Sequence, residues 1–158
     1  QDEKPAYLRV GRNPVEDIYT EKNCPFEMDK ATVLAEGTDV ALIACGEMVR
    51  PALDAAALLK AQGISATVLD MYCVKPLDAE AVIEAAGATR AVVTVEEHSV
   101  IGGLGSAVAD VLCEQCPTPL KKIGVNDTFG ESGPGAELLH KYGLDAANIV
   151  ATTKEFLA

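Results

Sequence analysis

Apolar positions along this chain fall into short continuous runs that alternate with amphipathic segments. Residues 39–46 (DVALIACG) form an apolar run that ends in glycine, which is typical of a strand buried on both faces of a parallel sheet. Residues 64–71 and 91–95 are rich in apolar and β-branched side chains and predict two further strands, and we place a fourth at residues 119–125.

Helical periodicity fills the intervals between these strands. Five segments predict helices bounded by a capping residue or a glycine: from the turn with Pro51 to Gly63, from Asp78 to Gly87, from Leu104, from about Pro134, and from Asp145. Strands that alternate with helices predict an α/β fold, in which helices cover both faces of a parallel sheet.

Residues 1–30 do not follow this alternation. Residues 7–12 alternate in polarity like a strand, Asn13-Pro14 interrupts them, and the stretch up to residue 30 has the composition of a linker. We interpret residues 1–30 as the last strand of a preceding domain followed by a linker, and residues 31–158 as one domain. Because the first residue is Gln and not Met, we expect the chain to be part of a longer protein.

The net charge of the chain argues against some classes of partner. The 158 residues include 13 Lys and Arg against 24 Asp and Glu, for a net charge of −11. Such a surface repels phosphate backbones and anionic headgroups, which argues against a nucleic-acid or membrane-surface role. The longest apolar stretch, residues 40–46, is far shorter than the ~20 residues of a spanning helix. We expect a cytoplasmic protein with neither partner.

Five cysteines raise the question of redox or metal chemistry. Cys113 and Cys116 have the CxxC spacing, but they lie at the predicted end of a helix, where the dipole disfavours a thiolate. A zinc site needs a second pair, which the sequence lacks. We interpret the five as ordinary thiols in a reducing compartment.

A glycine-rich turn follows the third predicted strand and opens a helix, as phosphate-binding turns do. Val108 stands where the dinucleotide fingerprint needs its third glycine, and no Lys-Ser or Lys-Thr pair supports a P-loop. The small residues Gly102, Gly103, Gly105 and Ser106 also allow a helix to approach another backbone closely. We favour close packing over a phosphate cradle.

Glu96-Glu97-His98 ends the same strand, where ligands often bind in α/β proteins. Alternation along a strand places Glu96 and His98 on one side and Glu97 on the other. The pair could act as an acid and a base, or it could form hydrogen bonds at an interface, which we favour.

Five stretches now indicate a family: YLRVGRNP (7–14), EGTDVALIACG (36–46), KPLD (75–78), VEEHSVIGGLGS (95–106) and GVNDTFGESG (124–133). In this order they resemble the C-terminal domain of transketolase, a thiamine-diphosphate enzyme, and above all its bacterial forms split into two subunits. The related 1-deoxyxylulose-5-phosphate synthase and the beta subunit of two-oxo-acid dehydrogenases share a version of residues 95–106. Residues 127–133 resemble transketolase more than either relative.

The resemblance implies a three-layer α/β/α fold with a mixed, mostly parallel five-stranded sheet, whose extra strand would be residues 31–34. It implies that residues 1–30 end the preceding pyrimidine-binding domain. The whole enzyme would transfer two-carbon ketol units between sugar phosphates, using thiamine diphosphate and Mg²⁺ held by the preceding domains. The diphosphate motif and the activating glutamate of those domains are absent here, so we expect no cofactor, metal or catalytic residue in this chain.

Two sets of residues take roles from the resemblance. Arg12 matches an arginine that binds the sugar phosphate. A homodimer interface would comprise Glu96, His98, Gly102, Gly103, Gly105 and Ser106. An N-terminal transketolase subunit or domain would be a second partner. Alternatives remain open: one of the related thiamine-diphosphate enzymes, a freestanding partner-binding module, or a small ligand-binding or redox protein that uses the 96–105 turn and the CxxC pair.

Overall fold

A computed structural model describes residues 5–11 and 14–158. The strands in this part of the chain are β1 (Thr32–Ala35), β2 (Val40–Ala44), β3 (Ala66–Asp70), β4 (Val92–Ser99) and β5 (Leu120–Val125). The helices are α1 (Val49–Lys60), α2 (Ala79–Ala88), α3 (Leu104–Gln115), α4 (Gly135–Lys141) and α5 (Ala146–Leu157). A 3₁₀ turn, Gly46–Met48, leads into α1.

The strands form one sheet in the order β1-β3-β2-β4-β5. Strand β2 pairs in parallel with β3 and β4, and β4 pairs in parallel with β5. The edge strand β1 runs antiparallel to β3. The expected α/β fold with a mixed, mostly parallel five-stranded sheet is therefore confirmed.

Strand β2 shows why both faces of the sheet carry helices. All five of its residues are buried. Val40, Leu42 and Ala44 pack in a core with α1 and α5, whereas Ala41 and Ile43 pack in a second core with α2 and α3. Burying a side chain such as Leu42 stabilises the fold by about 1.5–3 kcal/mol. Two helical layers around one sheet give the three-layer architecture.

The helix boundaries follow most of the predicted signals. The Asp78 carboxylate accepts the Ala81 N–H at 3.1 Å, and Asp145 accepts that of Asn148 at 2.8 Å, so both cap their helices. Gly63 has φ +82° and ends α1 in the left-handed region. The expectation for Gly87 was wrong: α2 continues to Ala88, and the Thr89 hydroxyl then donates to Ala85 O at 2.8 Å.

The structure also differs from the strand predicted near the start of the lead-in, as residues 1–30 are called here. The described residues 5–11 form no regular strand, and Tyr7, Leu8 and Val10 are exposed. Alternating polarity is not enough, because a strand also needs a neighbour to accept its hydrogen bonds. The division at residue 30 stays a prediction. Within the described ranges, no helix is long and apolar enough to cross a bilayer.

Candidate functional site

The residues predicted to form a homodimer interface lie together at the carboxyl end of β4 and the start of α3. The β4–β5 register shifts between Val95 and Ser99, at the place where the strand leaves the core. Glu96 is 2% exposed, whereas the His98 side chain is half exposed. Glu96 and His98 lie on the same side of β4, as predicted, with the nearest Glu96 oxygen 3.9 Å from His98 Nδ1.

The Glu96 carboxylate caps α3. Its Oε2 accepts the Leu104 N–H at 2.7 Å, and its Oε1 accepts the Gly105 N–H at 2.8 Å. Gly103, at the N-cap position, has no side chain to do this, so the carboxylate arrives from the neighbouring strand. A negative charge is also favourable at a helix N-terminus. Because Glu96 already fills the position that a phosphate would take, the glycine-rich turn is not a phosphate cradle.

Contacts and backbone geometry within the domain explain why glycine occupies these positions of the turn. A Cβ at Gly103 would overlap the Glu96 Oε2 atom, and one at Gly105 would lie 2.7 Å from Thr94 Oγ1. Gly102 has φ +77° and open space around its α-carbon, so the turn geometry itself needs glycine there. These contacts are with side chains of the same chain, so the expected close approach of a helix to another backbone stays a prediction. The role of these residues in a homodimer stays a prediction.

His98 and Ser106 are poorly placed for acid–base or nucleophilic chemistry. The His98 Nδ1 atom lies 2.9 Å from Ser99 O and beyond hydrogen-bond distance of Glu96. The Ser106 hydroxyl accepts the Gly102 N–H at 2.9 Å and the Lys122 ammonium at 3.2 Å. Ser106 therefore closes the turn instead of presenting a nucleophile.

The lead-in segment crosses the same edge of the sheet. Arg9 Nη2 donates to Glu97 Oε2 at 2.8 Å and to Glu97 O at 3.2 Å. This hydrogen bond holds the pKa of the Arg9 guanidinium above its usual value. Gly11 follows so close to the Glu47 carboxylate that a side chain at this position would overlap it. Arg12, the predicted phosphate ligand, lies outside the described residues.

The structure gives little support for a reactive thiol. Burial, reinforced by the nearby Glu96 charge, raises the pKa of Cys45 to about 12. Cys113 is exposed in the last turn of α3, as predicted, and Cys116 follows the helix. All five cysteines are free. No three His, Cys, Asp or Glu residues in the described part of the chain form a group that could hold a metal ion.

The sequence analysis did not single out one buried carboxylate, that of Asp70. Asp70 ends β3 at 7% exposure, and the Tyr19 hydroxyl donates to its Oδ2 at 2.8 Å. Burial raises the pKa of Asp70. The rings of Phe26 and Tyr72 pack against each other, with centroids 5.0 Å apart and planes tilted by 37°. Together these contacts hold residues 19–26 against the carboxyl end of β3. The alternation of polarity in β3 does not indicate this hydrogen bond, because its donor, Tyr19, lies 51 positions away in the sequence.

A sequence model of the family described as "Transketolase, C-terminal domain" matches residues 29–149. The chain belongs to this family. The matched residues include four of the five motif stretches, all but residues 7–14, and the resemblance to a transketolase C-terminal domain is confirmed.

Curated relatives include components of split transketolases. The chain is 50% identical over 151 residues to the 6-deoxy-6-sulfo-D-fructose transketolase subunit SqwH of Clostridium sp. strain MSTE9, covering 96% of this chain and 47% of that protein. It is 44% identical over 154 residues to one of the subunits of the apulose-4-phosphate transketolase of Phocaeicola vulgatus, covering 98% and 49%. This transketolase C-terminal domain chain thus spans about half the length of these relatives.

A solved structure and a further enzyme class complete the comparison. A split gene transketolase, in an inactive beta4 tetramer, superimposes with a TM-score of 0.88 at 53% identity and covers 93% of this chain and 48% of that chain. The 1-deoxy-D-xylulose-5-phosphate synthase 1 of Geobacter sulfurreducens is 47% identical over 128 residues, 80% of this chain and 20% of the synthase. The transketolase C-terminal domain fold is therefore shared with a related class of enzyme.

Proposed function

We propose that this chain is the C-terminal section of a split transketolase subunit, and that the assembled enzyme transfers two-carbon ketol units between sugar phosphates. The observation that carries the proposal is the alignment with split transketolase subunits over 96% and 98% of the chain. These alignments include most of the lead-in at 50% and 44% identity, whereas a synthase aligns at 47% identity over 80% of the chain and another at only 36% identity over 94% of it. We therefore favour transketolase over the synthase.

Within this function, residues 31–158 form a structural and dimerising section that is inactive alone. The side chains near the carboxyl end of β4 that could carry out chemistry are hydrogen-bonded within the domain or protonated. Glu96 accepts two backbone N–H groups, and the Ser106 hydroxyl accepts two hydrogen bonds. The Cys45 thiol, with its raised pKa of about 12, is protonated at neutral pH.

Thiamine diphosphate and Mg²⁺ do not fit the described residues. The α3 N-terminus, which a diphosphate would need, is filled by the Glu96 carboxylate. The described ranges also contain no cluster of potential metal ligands. We place both groups in the preceding domains and in the N-terminal partner subunit, and we derive no reaction step from this chain.

Arg12 is the proposed contact with substrate. A guanidinium presents N–H donors in a planar fork that matches a phosphate group. Resemblance of residues 7–14 to the family supports the assignment. Free cysteines agree with a reducing compartment, so we also propose a cytoplasmic location.

The test is ketol transfer by the full-length subunit assembled with its N-terminal partner. We expect transfer from a ketose phosphate donor to an aldose phosphate acceptor, dependent on thiamine diphosphate and Mg²⁺. The 158-residue chain alone should show no turnover. Condensation of pyruvate with glyceraldehyde 3-phosphate to 1-deoxyxylulose 5-phosphate, without ketol transfer, would instead assign the chain to the synthase.

The proposed homodimer is centred on Glu96, His98 and the turn of Gly102, Gly103, Gly105 and Ser106. Its accessible surface is the half-exposed His98, the open side of Gly102 and Ile101, which is 63% exposed. Two-fold symmetry lets such a patch meet its own copy. A stable interface buries on the order of 1,200–2,000 Å², and the net charge of −11 opposes association at low salt.

Sedimentation equilibrium at two ionic strengths tests this interface. We expect a weak dimer that strengthens with salt, and Ile101→Glu should lower the association constant about tenfold or more, since it would bury an unpaired charge. Leu58→Glu is the control, because Leu58 is similarly exposed on α1, in the other helical layer. An association constant unchanged by Ile101→Glu would place the dimer contact elsewhere.

A further inference from the structure

A cavity of about 190 Å³ lies between residues 19–26 of the lead-in and the carboxyl end of β3. Its accessible lining is almost wholly apolar. One carboxylate and three aromatic rings contribute to this lining, those of Asp70, Tyr19, Phe26 and Tyr72. Phe26 is 65% exposed, so the cavity is open to solvent on that side. We call this space the β3 cavity.

Asp70 is the unusual member of the lining. It is 7% exposed, and aspartates are rarely buried this far without a charged partner. Among the described residues, the Tyr19 hydroxyl is the one group that donates to the carboxylate, at 2.8 Å from Oδ2, and no Lys, Arg or His pairs with it. An ionised carboxylate accepts up to about four hydrogen bonds, so most of its capacity is unused. Burial accordingly raises the pKa of Asp70.

We propose that the β3 cavity binds a small primary amine as its alkylammonium ion, with Asp70 as the anionic partner, and that the bound amine ties residues 19–26 to the sheet. An ammonium group supplies the N–H donors and the positive charge that Asp70 lacks, and such charge-assisted hydrogen bonds are strong. Aromatic rings also attract cations through their π faces. The net charge of −11 concentrates cations at the surface. This inference does not rest on the proposed ketol transfer.

The size and chemistry of the cavity select among cations. Sites for drug-sized ligands measure about 300–1,000 Å³, so the β3 cavity holds only an ammonium group with a short alkyl chain. Metal ions such as Ca²⁺ and Mg²⁺ take six or more oxygen ligands, which an apolar lining does not supply. A quaternary ammonium ion has no N–H group to donate to Asp70. Anions are disfavoured by the carboxylate itself.

The cavity walls come from two parts of the chain. Tyr19 and Phe26 belong to the lead-in, whereas Asp70 and Tyr72 belong to the end of β3 and the residues after it. An occupant that contacts both walls stabilises the arrangement in which they are together. The amine also offsets the cost of burying the Asp70 charge.

Calorimetric titration of the 158-residue chain with n-propylammonium chloride tests the binding. Because so few atoms are buried, we expect a Kd of about 1 mM. The midpoint of thermal unfolding should rise by about 3–6 °C at ten times that Kd, and KCl at the same concentration should not reproduce the rise. The neutral analogue 1-propanol should bind at least about tenfold more weakly. Absence of saturable heat at about ten times the expected Kd, or equal binding of 1-propanol, would overturn the proposal.

Three variants test the assigned residues. Asp70→Asn removes a buried charge while keeping the side-chain shape, and it should weaken propylammonium binding at least about tenfold. Asp110→Asn makes the same change at an exposed position of α3, away from the cavity lining, and should leave the Kd unchanged. Phe26→Leu replaces an exposed ring and should weaken binding about two- to fivefold. Equal Kd values for Asp70→Asn and Asp110→Asn would show that Asp70 does not bind the amine.

Proteolysis tests whether the amine holds the lead-in. Endoproteinase Glu-C cleaves after Glu21, an exposed residue between Tyr19 and Phe26. Propylammonium at ten times its Kd should slow this cleavage several-fold in the unmodified chain and leave it unchanged in Asp70→Asn, which controls for any effect on the protease. If the amine binds but the cleavage rate of the unmodified chain stays the same, the tie between residues 19–26 and the sheet is refuted.

Discussion

Replacing Glu96 by Gln tests whether the Glu96 carboxylate caps α3. The carboxylate accepts two backbone N–H groups of α3, at 2.7 and 2.8 Å, in a site that is 2% exposed. A glutamine offers one carbonyl oxygen, so its amide group would face the second N–H as donor against donor. The change also removes a negative charge from the α3 N-terminus.

The expected loss follows from these two effects. One buried N–H left without an acceptor costs about 1–3 kcal/mol, and the lost helix-terminus charge about 0.3–1 kcal/mol. Relief from burying a charge offsets part of this sum, so we expect a net loss of about 1–3 kcal/mol. For a domain of this size the midpoint of thermal unfolding should fall by roughly 2–12 °C.

Chemical denaturation of the 158-residue chain, followed by circular dichroism, measures the free energy of unfolding. Glu97→Gln is the matched control, because it makes the same change one residue away at a half-exposed site and should cost below about 1 kcal/mol. Hydrogen exchange should show at least one of the Leu104 and Gly105 amides losing protection in Glu96→Gln alone. A loss within about 0.5 kcal/mol of the control, with those amides still protected, would refute the capping role.

Three further predictions concern the rest of the domain. Gly87→Ala should stabilise the chain by about 0.4–1 kcal/mol in denaturant titrations, because the helical Gly87 has open space for a Cβ; destabilisation would mean that α2 is strained there. Burial raises the pKa of Asp70, so its ionised form weakens the fold as the pH rises above about 4. Asp70→Asn should therefore raise the unfolding midpoint at pH 7 and raise it less at pH 4, and the reverse trend would contradict this assignment. With a pKa of about 12, Cys45 should react with iodoacetamide at pH 8 at least about tenfold more slowly than exposed Cys113, and equal rates by peptide mass spectrometry would show that Cys45 is not buried in solution.

Most of the fold could be predicted from local pattern. Strands β2 and β3 and the first half of β4 are apolar or β-branched runs, and both faces of β2 are buried as a continuous run implies. Strand β5 was also predicted, although Lys121 and Lys122 interrupt its apolar residues. The short β1 lies at the edge and has no run of its own, so only the family resemblance indicated it. The Gly87 error has a simple cause: a glycine that could end a helix is also tolerated inside one.

The candidate site was only partly predictable. The period of a strand put Glu96 and His98 on the same side of β4. That Glu96 caps α3 depends on the turn at Gly102, whose backbone geometry the sequence does not state. The Arg9–Glu97 contact spans 88 positions and the Tyr19–Asp70 contact spans 51, so no local pattern could reveal either.

Calorimetric titration of thiamine diphosphate with Mg²⁺ tests the central claim, that this chain is a structural section whose cofactor is held elsewhere. The titration is run on the isolated 158-residue chain and, in parallel, on the full-length subunit assembled with its N-terminal partner. We expect no saturable heat from the chain alone and saturable binding by the assembled enzyme. Micromolar binding to the isolated chain would contradict the account, because the one glycine-rich helix start in its described part is already filled by Glu96.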